Sequence, residues 1–321
     1  MGQGTCPRVP VRKGVIALID VKNLTKRYGE FMAVDNISFE VKEGEIFSLL
    51  GPNGAGKTTT IEILQGLKIP TSGQVSVLGY DIYKEEKKIK EQIGVMPQNF
   101  NALERLSARE NIQLVADIYG KGNKVEEVLE LTGVSEFHSK VYLNLSGGMK
   151  TKVGIGMALV SDAPLLFLDE PTTGLDPQAR REVWDMIEKL KGLGKTIMLT
   201  SHYMEEVERL SDRAAVMING KIQTIGEISY LINNYGGHTK LTTRKDQNTA
   251  EILNREAQQV FEPSNGEDLI TGVFDNKQSA KKAVIALYEK DYDVKIVEPS
   301  LEEAFISLSG SKINEKGELV S

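Results

Sequence analysis

The spacing of apolar and polar positions predicts a chain in which short strands alternate with helices. Apolar and polar residues alternate along Ala17–Val21 and Ile37–Val41, which is typical of antiparallel strands buried on one face. Ile46–Leu50 is a largely apolar strand, and Leu165–Leu168 is apolar throughout, as in a parallel strand buried on both faces. Strands that alternate with helices in this way predict an α/β domain with a parallel core sheet.

The other predicted elements of this domain have ordinary lengths. Strands are predicted at Gln74–Leu78, Ile93–Pro97, Thr196–Thr200, Arg213–Ile218 and Lys221–Ile225, and helices at 56–67, Glu85–Glu91, within Ser107–Leu131, at Met149–Val160 and at Pro177–Lys191. Ser107 with Glu110 forms a capping box that begins a helical subdomain inserted at about residues 99–160. Asn219-Gly220 predicts a type I′ hairpin.

A second, smaller domain is predicted after Asn233–Gly237, which is typical of a linker. Strands at Lys240–Arg244, Asp268–Phe274 and Val294–Val297 and helices at Ala250–Val260, at Ser279–Lys290 and from Ser300 predict an α+β domain. The expected domains are therefore residues 16–235 and 236–310. Residues 1–15 are expected to be a flexible tail, and residues 311–321 a loose one.

Composition excludes several classes of protein. No apolar run approaches the roughly 20 residues that cross a bilayer, so a membrane role requires a partner that spans it. The net charge of -6 argues against a protein that coats nucleic acid. The single cysteine, Cys6, excludes an intramolecular disulfide, and the N-terminus lacks the apolar segment of a secretory signal.

One motif predicts a phosphate-binding loop. The sequence Gly51-Pro52-Asn53-Gly54-Ala55-Gly56-Lys57-Thr58 has the form G-x-x-x-x-G-K-[ST], and Thr59 follows it. It lies between a predicted strand and a predicted helix, so glycine-rich backbone and the helix N-terminus can surround the phosphates of a nucleotide. Lys57 adds a positive charge, and the hydroxyl of Thr58 is a ligand for magnesium.

Two acidic residues extend this chemistry. A magnesium ion beside Thr58 needs a carboxylate, and Asp169 at the end of the apolar run supplies it. Glu170 is suited to polarise a water molecule for attack on the γ-phosphate. The alternative is that this Asp-Glu pair is an ordinary polar loop without a catalytic role. The four apolar residues before the pair and Pro171 after it argue against that alternative.

Seven motifs occur in the order found in the nucleotide-binding subunits of ABC transporters, which residues 17–230 resemble. They are Tyr28 (A-loop), Gly51–Thr58 (Walker A), Gln98 (Q-loop), Leu145–Gly148 (the LSGG signature), Leu165–Glu170 (Walker B), Gly174–Asp176 (D-loop) and His202 (H-loop). The resemblance implies the ABC-type P-loop ATPase fold, with a parallel core sheet, an antiparallel β subdomain and an inserted helical subdomain. It also implies ATP and Mg²⁺ as cofactors.

The resemblance further implies a head-to-tail dimer. ATP would lie between the phosphate loop of one subunit and Ser146, Gly147 and Gly148 of the other. A helix N-terminus at Ser146–Gly148 agrees with this, because it forms an anion site that is useful only if phosphate comes from another chain. Asp176 would contact the partner subunit.

Other roles are carried over from the family in the same way. Gln98 would bind magnesium or the attacking water, and His202 would sense the γ-phosphate, whereas His138 and His238 are expected to be solvated. Tyr28 would stack on adenine, although its position alone favours a core residue.

The chain also departs from the common pattern. Met149 follows the signature, as in ABC-2-type exporters, and Thr151 and Met157 replace arginines that are common in relatives. Gly154 and Gly156 each weaken their helix by roughly 1 kcal/mol relative to alanine. The ending Val297–Phe305 is similar to that of ABC-2-type export subunits related to drug-resistance ATPases.

These features predict an ATP-hydrolysing motor that drives a separate integral membrane permease, an ABC-2-type exporter, from the cytoplasmic face of the membrane. The second ATPase subunit would be a copy of this chain or a paralogue, with no nucleic-acid partner. The helical subdomain, with Phe100 and Leu106 expected to be exposed, would contact the permease. One alternative is a soluble non-transport ABC ATPase. The other is a non-catalytic nucleotide-gated module, and the presence of Lys57, Asp169 and Glu170 argues against that second alternative.

Overall fold

The structure is a computed structural model that describes residues 17–262, 268–314 and 317–320. The expected N-terminal tail and Cys6 lie outside the described residues. By their internal contacts the residues form two units, one comprising the chain up to Ile228 and from Ile313 onward, the other Ser229–Lys312.

The first unit contains ten strands and seven α-helices among its described residues up to Ile228. The strands are β1 (Ala17–Tyr28), β2 (Phe31–Lys42), β3 (Ile46–Leu50), β4 (Ser72–Val77), β5 (Tyr80–Asp81), β6 (Ile93–Met96), β7 (Leu165–Asp169), β8 (Thr196–Ser201), β9 (Arg213–Ile218) and β10 (Lys221–Glu227). The helices are α1 (Lys57–Leu64), α2 (Glu86–Lys90), α3 (Ala108–Ile118), α4 (Val125–Leu131), α5 (Gly147–Leu159), α6 (Pro177–Gly192) and α7 (Met204–Leu210).

A six-stranded sheet of order β10-β9-β3-β8-β7-β6 forms the centre of this unit. Its strands from β9 to β6 are parallel, and β10 pairs antiparallel with β9. Every residue of β3 and of β7 is buried, as expected for strands covered on both faces. The predicted α/β class with a parallel core sheet is therefore confirmed.

A second, antiparallel sheet has the order β2-β1-β4-β5. Its alternating apolar residues share one core with β3 and α1, where the rings of Phe39 and Phe47 stack with their centroids 5.5 Å apart. The antiparallel subdomain is thus attached to the parallel sheet by apolar packing next to the phosphate loop.

Helices α3, α4 and α5 lie between β6 and β7 in the chain and share a core with the other side of the central sheet. The capping box is present, since the Ser107 side chain accepts from the amide of Glu110 and the Glu110 carboxylate accepts from the amide of Ser107. Phe100 and Leu106 are half-buried, so their predicted exposure is wrong. Phe100 packs edge-to-face on Tyr142, with the ring centroids 6.3 Å apart.

The two glycines of α5 allow close packing. A Cβ atom on Gly154 would lie 2.8 Å from the ring of Phe100, and one on Gly156 would lie 2.9 Å from the Cδ1 atom of Ile112 in α3. Glycine lowers the helix propensity of α5 at these two positions, but it lets Phe100 and Ile112 pack directly against the helix backbone, which a larger residue would prevent.

Other local predictions have mixed outcomes. Asn219 and Gly220 have φ angles of 49° and 76°, which fits the predicted type I′ turn between β9 and β10. The sequence analysis missed the two-residue strand β5 and the helix α7, which directly follows His202 and Tyr203.

The second unit has a β-α-β-β-α-β order. Its elements are β11 (Thr239–Arg244), α9 (Gln247–Glu256), β12 (Gln259–Phe261), β13 (Leu269–Phe274), α10 (Lys277–Tyr288) and β14 (Val294–Val297), preceded by α8 (Ile228–Tyr235) and followed by α11 (Leu301–Ser309). The sheet is antiparallel with the order β12-β13-β11-β14. Sequence analysis predicted this α+β composition but missed β12, which completes the split β-α-β topology.

Asn233 and Asn234 lie in α8, where a linker was expected. The side-chain amide of Asn234 donates to the carbonyl oxygen of Tyr230 at 2.8 Å, so the asparagine satisfies a carbonyl within the helix. Near the end of the chain, β15 (Lys312–Ile313) and β16 (Leu319–Val320) lie where a loose tail was expected. No helix in the described part of the chain has both the length and the apolarity to cross a membrane.

Gly94 in β6 provides a test of the packing between α5 and the sheet. A Cβ atom there would lie 2.2 Å from the carbonyl oxygen of Ala158 and 2.6 Å from the side chain of Leu166. We expect Gly94→Ala to lower the free energy of unfolding by roughly 1–3 kcal/mol because backbone must move. The matched control is Gly192→Ala at the end of α6, where nothing lies within 4 Å and stability should be unchanged or higher. Equal denaturation midpoints for Gly94→Ala and the wild-type protein would contradict this packing.

Candidate functional site

Three neighbouring strands of the central sheet bring the predicted site residues together. Strands β3, β8 and β7 are adjacent and parallel, so their carboxyl ends lie at one edge of the sheet. The phosphate loop follows β3, Asp169 ends β7 with Glu170 next in the chain, and His202 follows β8. Residues from three distant parts of the sequence thus meet at one edge, where α/β sheets commonly bind ligands.

The glycines of the phosphate loop are required by its geometry. Gly54 and Gly56 have φ angles of 77° and 100°, in the region that residues with a Cβ rarely adopt. A Cβ atom on Gly51 would lie 2.2 Å from the carbonyl oxygen of Met217, and one on Gly56 would lie 2.4 Å from that of Ala33. The loop therefore runs against two neighbouring strands, with room only for glycine at these positions.

Lys57 begins helix α1 and folds back over the loop. Its Nζ atom donates to the carbonyl oxygens of Gly51 at 2.7 Å and Pro52 at 3.1 Å, and lies 3.2 Å from the Oε1 atom of Glu170. Burial lowers the pKa of the Lys57 ammonium, and the charge of Glu170 acts in the opposite direction. The loop thus holds one buried positive charge against the carboxylate that follows β7.

The rest of the loop differs in exposure. Asn53 and Gly54 are exposed, whereas Pro52 and Ala55 are buried and Thr58 and Thr59 are half-buried. The backbone amide of Asn53 donates to the carbonyl oxygen of Gly317, 2.5 Å away. The outer part of the loop is therefore accessible and contacts the C-terminal segment of the same unit.

The carboxylate of Glu170 is the centre of the site. Its Oε2 atom accepts from the Nε2 atom of Gln98, the hydroxyl of Thr173 and the Nδ1 atom of His202, each at 3.1 Å, while Lys57 approaches Oε1. Burial by itself raises the pKa of this carboxyl, but the hydrogen bond with His202 and the charge of Lys57 lower it to about 2. Glu170 is therefore ionised at neutral pH.

The backbone also directs Glu170 into the site. Its φ angle of 50° is unusual for a residue with a side chain and costs roughly 1–2 kcal/mol. The amide of Glu170 donates to the hydroxyl of Thr200 at 3.0 Å, and that hydroxyl donates to Asp169. Sequence reasoning missed Thr200 and Thr173. The signal for Thr200 is the pairing of β7 with β8, which puts it opposite Asp169.

His202 is buried with one nitrogen engaged. Because an ionised carboxylate only accepts hydrogen bonds, the Nδ1 atom that faces Glu170 must donate. The Nε2 atom is buried and has no hydrogen-bond partner in the structure. His138 and His238 are exposed, as predicted.

Asp169, Thr58 and Gln98 are the predicted magnesium ligands. Burial raises the pKa of the Asp169 carboxyl, and hydrogen bonds from the hydroxyls of Thr200 and Thr58 oppose the rise. Carboxylate, hydroxyl and amide oxygens are the donors that Mg²⁺ prefers, so these residues fit that ion. Among residues 17–262, 268–314 and 317–320, no group of three or more His, Cys, Asp and Glu side chains could hold a metal by itself. Such a site suits an ion that takes its other ligands from a bound nucleotide.

Tyr28 lies at the end of β1, outside this cluster. It is 43% exposed, so the interpretation as a core residue is wrong. The Nζ atoms of Lys26 and Lys68 lie 4.9 and 5.4 Å from its ring centroid. The side chain is thus an accessible aromatic surface in a positively charged setting.

The signature segment also lies apart from the Glu170 cluster. Ser146 caps α5 by accepting from the amide of Met149 at 3.3 Å, and both Ser146 and Gly147 are exposed. A Cβ atom on Gly147 would lie 3.2 Å from the side chain of Leu175. Asp176 caps α6 by accepting from the amides of Gln178 and Ala179. The signature and the D-loop are therefore neighbours.

The geometry agrees with comparisons to known proteins. The family described as "ABC transporter" matches residues 34–173. The linearmycin resistance ATP-binding protein LnrL of Bacillus subtilis is 41% identical over 227 residues, which cover 69% of this chain and 73% of that protein. The Nod factor export ATP-binding protein I of a Rhizobium species is 35% identical over 306 residues, which cover 92% of this chain and 98% of that protein.

Solved structures show the same fold. A dimeric ATP-binding cassette in a post-hydrolysis state with ADP and phosphate bound is 28% identical, with a TM-score of 0.59 over 65% of this chain and 98% of that one. CbiO1 from Clostridium perfringens, part of the transporter complex cbiONQ, is 27% identical, with a TM-score of 0.62 over 68% of this chain and 91% of that one.

The low pKa of Glu170 predicts a specific acid dependence of stability. Because the folded-state pKa of about 2 lies below the ordinary 4.5, the stabilisation by this carboxylate is complete above pH 4.5 and is lost as the pH falls toward 2. The stability difference between the wild-type protein and Glu170→Gln should therefore shrink over that range, by on the order of 3 kcal/mol. Denaturant unfolding at a series of pH values measures it. Glu205→Gln, at an exposed position of α7, is the control, and a difference independent of pH would contradict the assignment.

Proposed function

We propose a function from the premise that this chain belongs to the ABC transporter family of ATP-binding proteins. It is the ATP-hydrolysing subunit of an ABC-2-type exporter, and two such subunits close around two ATP molecules. The observation that carries the proposal is the convergence of Lys57, Gln98 and His202 on the buried Glu170 beside the phosphate loop. These groups come from four separate segments and provide the positive charge, hydrogen-bond donors and base that phosphoryl transfer to water requires.

In this proposal the phosphate loop and Lys57 bind the β- and γ-phosphates, and Tyr28 stacks on the adenine. Asp169, Thr58 and Gln98 hold the magnesium ion, which neutralises phosphate charge when bound. The same loop amides and the N-terminus of α1 orient the γ-phosphate.

Glu170 then acts as the general base. A carboxylate with a pKa of about 2 is a weak base, because efficient proton transfer needs a pKa closer to the working pH. Phosphate oxygens compete with Glu170 for Lys57 and His202. When these donors turn to the phosphate, the effect of burial on Glu170 prevails and its pKa rises. Substrate binding thereby increases the basicity of the residue that activates the water.

The closing face of the nucleotide site comes from a second subunit. Ser146 and Gly147 are exposed at the start of the 13-residue helix α5, and their amides can bind an anion from another chain. The dimeric, ADP-bound relative supports such an arrangement. The partner is a second copy or a paralogous ATPase subunit.

The first experiment measures ATP hydrolysis and oligomeric state together. Glu170→Gln should lower the turnover number by at least about 100-fold, because the amide cannot accept the proton from water. It should also elute as a dimer from a sizing column with ATP and magnesium and as a monomer without them. Lys57→Ala should show neither hydrolysis nor the ATP-dependent dimer, and Glu205→Gln should resemble the wild-type protein. Undiminished hydrolysis by Glu170→Gln, or its persistence as a monomer with ATP, would contradict the proposal.

The exporter assignment rests on relatives, and the proposed contact with the permease rests on a groove that reaches Pro97. The relatives that carry it act in Nod factor export and linearmycin resistance, and the match to the former extends over nearly the whole chain. A groove of about 370 Å³ lies between α3, α5 and β6, and its lining includes Leu67, Phe100, Tyr119 and Met157. Leu67 is 60% exposed, so apolar surface is available for a membrane permease whose cytoplasmic segment docks there. In this proposal the chain works at the cytoplasmic face of the membrane and has no nucleic-acid partner.

The second experiment tests the groove. Leu67→Glu and Tyr119→Glu should reduce recovery of the permease that co-purifies with the wild-type chain from detergent-solubilised membranes, because a buried charge opposes docking. Hydrolysis by the isolated variants should stay near the wild-type rate. Leu193→Glu, at an exposed apolar residue after α6, is the matched control. Full recovery of the same membrane protein by both groove variants would exclude this surface.

A further inference from the structure

Glu206 is a fully buried carboxylate outside the phosphate site. It lies in the first turn of α7, a few residues after the end of β8, and is 0% exposed. Its Oε1 atom accepts from the hydroxyl of Thr172 at 2.6 Å and from the indole Nε1 atom of Trp184 at 3.0 Å. A buried carboxylate is rarely the most stabilising choice for a core, so its contacts call for another explanation.

The two donors belong to segments that matter for hydrolysis. Thr172 follows Glu170 by two residues, and Trp184 lies in α6, which begins directly after the D-loop residue Asp176. Helix α7 itself follows His202. One carboxylate therefore links the segment that carries Glu170, the helix after the D-loop and the segment that carries His202.

A cation–π contact between Arg180 and Tyr203 joins α6 to the segment that carries His202. The rings of His202 and Tyr203 have their centroids 4.1 Å apart, and the guanidinium carbon of Arg180 in α6 lies 4.2 Å from the centroid of Tyr203. Burial raises the pKa of the Glu206 carboxyl, and hydrogen bonds from Ser201, Thr172 and Trp184 and the charge of Arg180 oppose the rise. Within the described residues, the buried side-chain nitrogen and oxygen atoms without a hydrogen-bond partner are the Nε2 atom of His202, the Nε atom of Arg180 and the Oε2 atom of Glu206. All three atoms belong to the group of contacts around Glu206, His202 and Arg180. Unpaired buried polar atoms are rare in folded proteins, so their occurrence together here calls for an explanation.

We propose that Glu206 is a positioning residue for ATP hydrolysis, which holds the segments bearing Glu170 and His202 in register with α6 through its bonds to Thr172 and Trp184. The inference rests on the roles proposed above for Glu170 and His202. Glu206 is fully buried and is bonded to Thr172 and Trp184, outside the phosphate loop, so its removal affects the placement of the base and not the binding of phosphate. Small displacements of a reacting group reduce turnover steeply, whereas affinity for ATP depends on the loop around Lys57.

The test compares apolar and conservative replacements. Glu206→Met keeps the length of the side chain but removes both acceptor bonds, and we expect the turnover number to fall about 10- to 100-fold with the KM for ATP within about 3-fold of wild type. Glu206→Gln keeps an oxygen that Thr172 and Trp184 can share, so its turnover number should remain within about 3-fold of wild type. Glu205→Met, the adjacent exposed position, should leave both parameters unchanged.

Three results would overturn the positioning role. These are wild-type turnover in a folded Glu206→Met protein, a loss in Glu206→Gln as large as in Glu206→Met, and a joint decline of turnover, ATP affinity and melting temperature that shows a general loss of structure. If Glu206→Met does not fold, Thr172→Val and Trp184→Phe each remove one of the two bonds. Lower turnover at unchanged KM in either variant supports the proposal, and unchanged turnover in both refutes it.

Glu170→Gln, measured in the same assay, separates the two levels of inference. Hydrolysis at the wild-type rate by Glu170→Gln means that the proposed base is wrong. Loss of hydrolysis in Glu170→Gln, together with full hydrolysis in Glu206→Met, leaves the proposed function intact and rejects the role of Glu206 alone.

Discussion

The carboxylate of Glu170 receives Lys57, Gln98, Thr173 and His202, and the arrangement of the first unit depends on bringing these groups to one buried point. A carboxylate removed from water is stable only when its oxygens are hydrogen-bonded or paired with charge. Here the donors come from the phosphate loop, the segment after β6, the turn after β7 and the segment after β8. The parallel sheet makes this possible, because it delivers the ends of those strands to one edge.

The same contacts determine how readily Glu170 can take up a proton. The Oε2 atom accepts from three donors, and Lys57 lies against Oε1. Because these contacts hold the pKa of Glu170 at about 2, the carboxylate has little tendency to take a proton from water. In the function proposed above, phosphate competes with Glu170 for Lys57 and His202. On that proposal, the donors that stabilise the buried carboxylate are the same ones that bind the phosphates.

Much of the fold could be predicted from local patterns, because those patterns correspond to local physical causes. The apolar run at Leu165–Leu168 indicates a strand buried on both faces, and the capping box at Ser107 indicates a helix start. The motifs and their order along the chain also predict Lys57, Asp169, Glu170 and His202 as site residues. The roles of Lys57, Asp169 and Glu170 follow from the chemistry of their own motifs, whereas the role of His202 follows from the family resemblance.

The features that were missed depend on contacts distant in sequence. Thr200 becomes important only because β8 pairs with β7, and Gly154 matters because α5 approaches Phe100. Phe100 was expected to be exposed, since a loop residue gives no sign of the helix that covers it. Tyr28 was ambiguous because it is the last residue of β1, and the sequence does not show whether another part of the chain covers the end of that strand. Helix α7 is short, and its buried Glu206 obscures the apolar pattern that would identify it.

The orientation of His202 determines which acceptor its ring N–H can reach. A neutral imidazole has one N–H, and Glu170 engages it at Nδ1, so the Nε2 atom can offer only a lone pair. A phosphate oxygen offers lone pairs as well, and two acceptors do not form a hydrogen bond. A neutral ring can donate to the γ-phosphate only with the N–H that faces Glu170 here, so one hydrogen cannot serve the carboxylate and the phosphate at once.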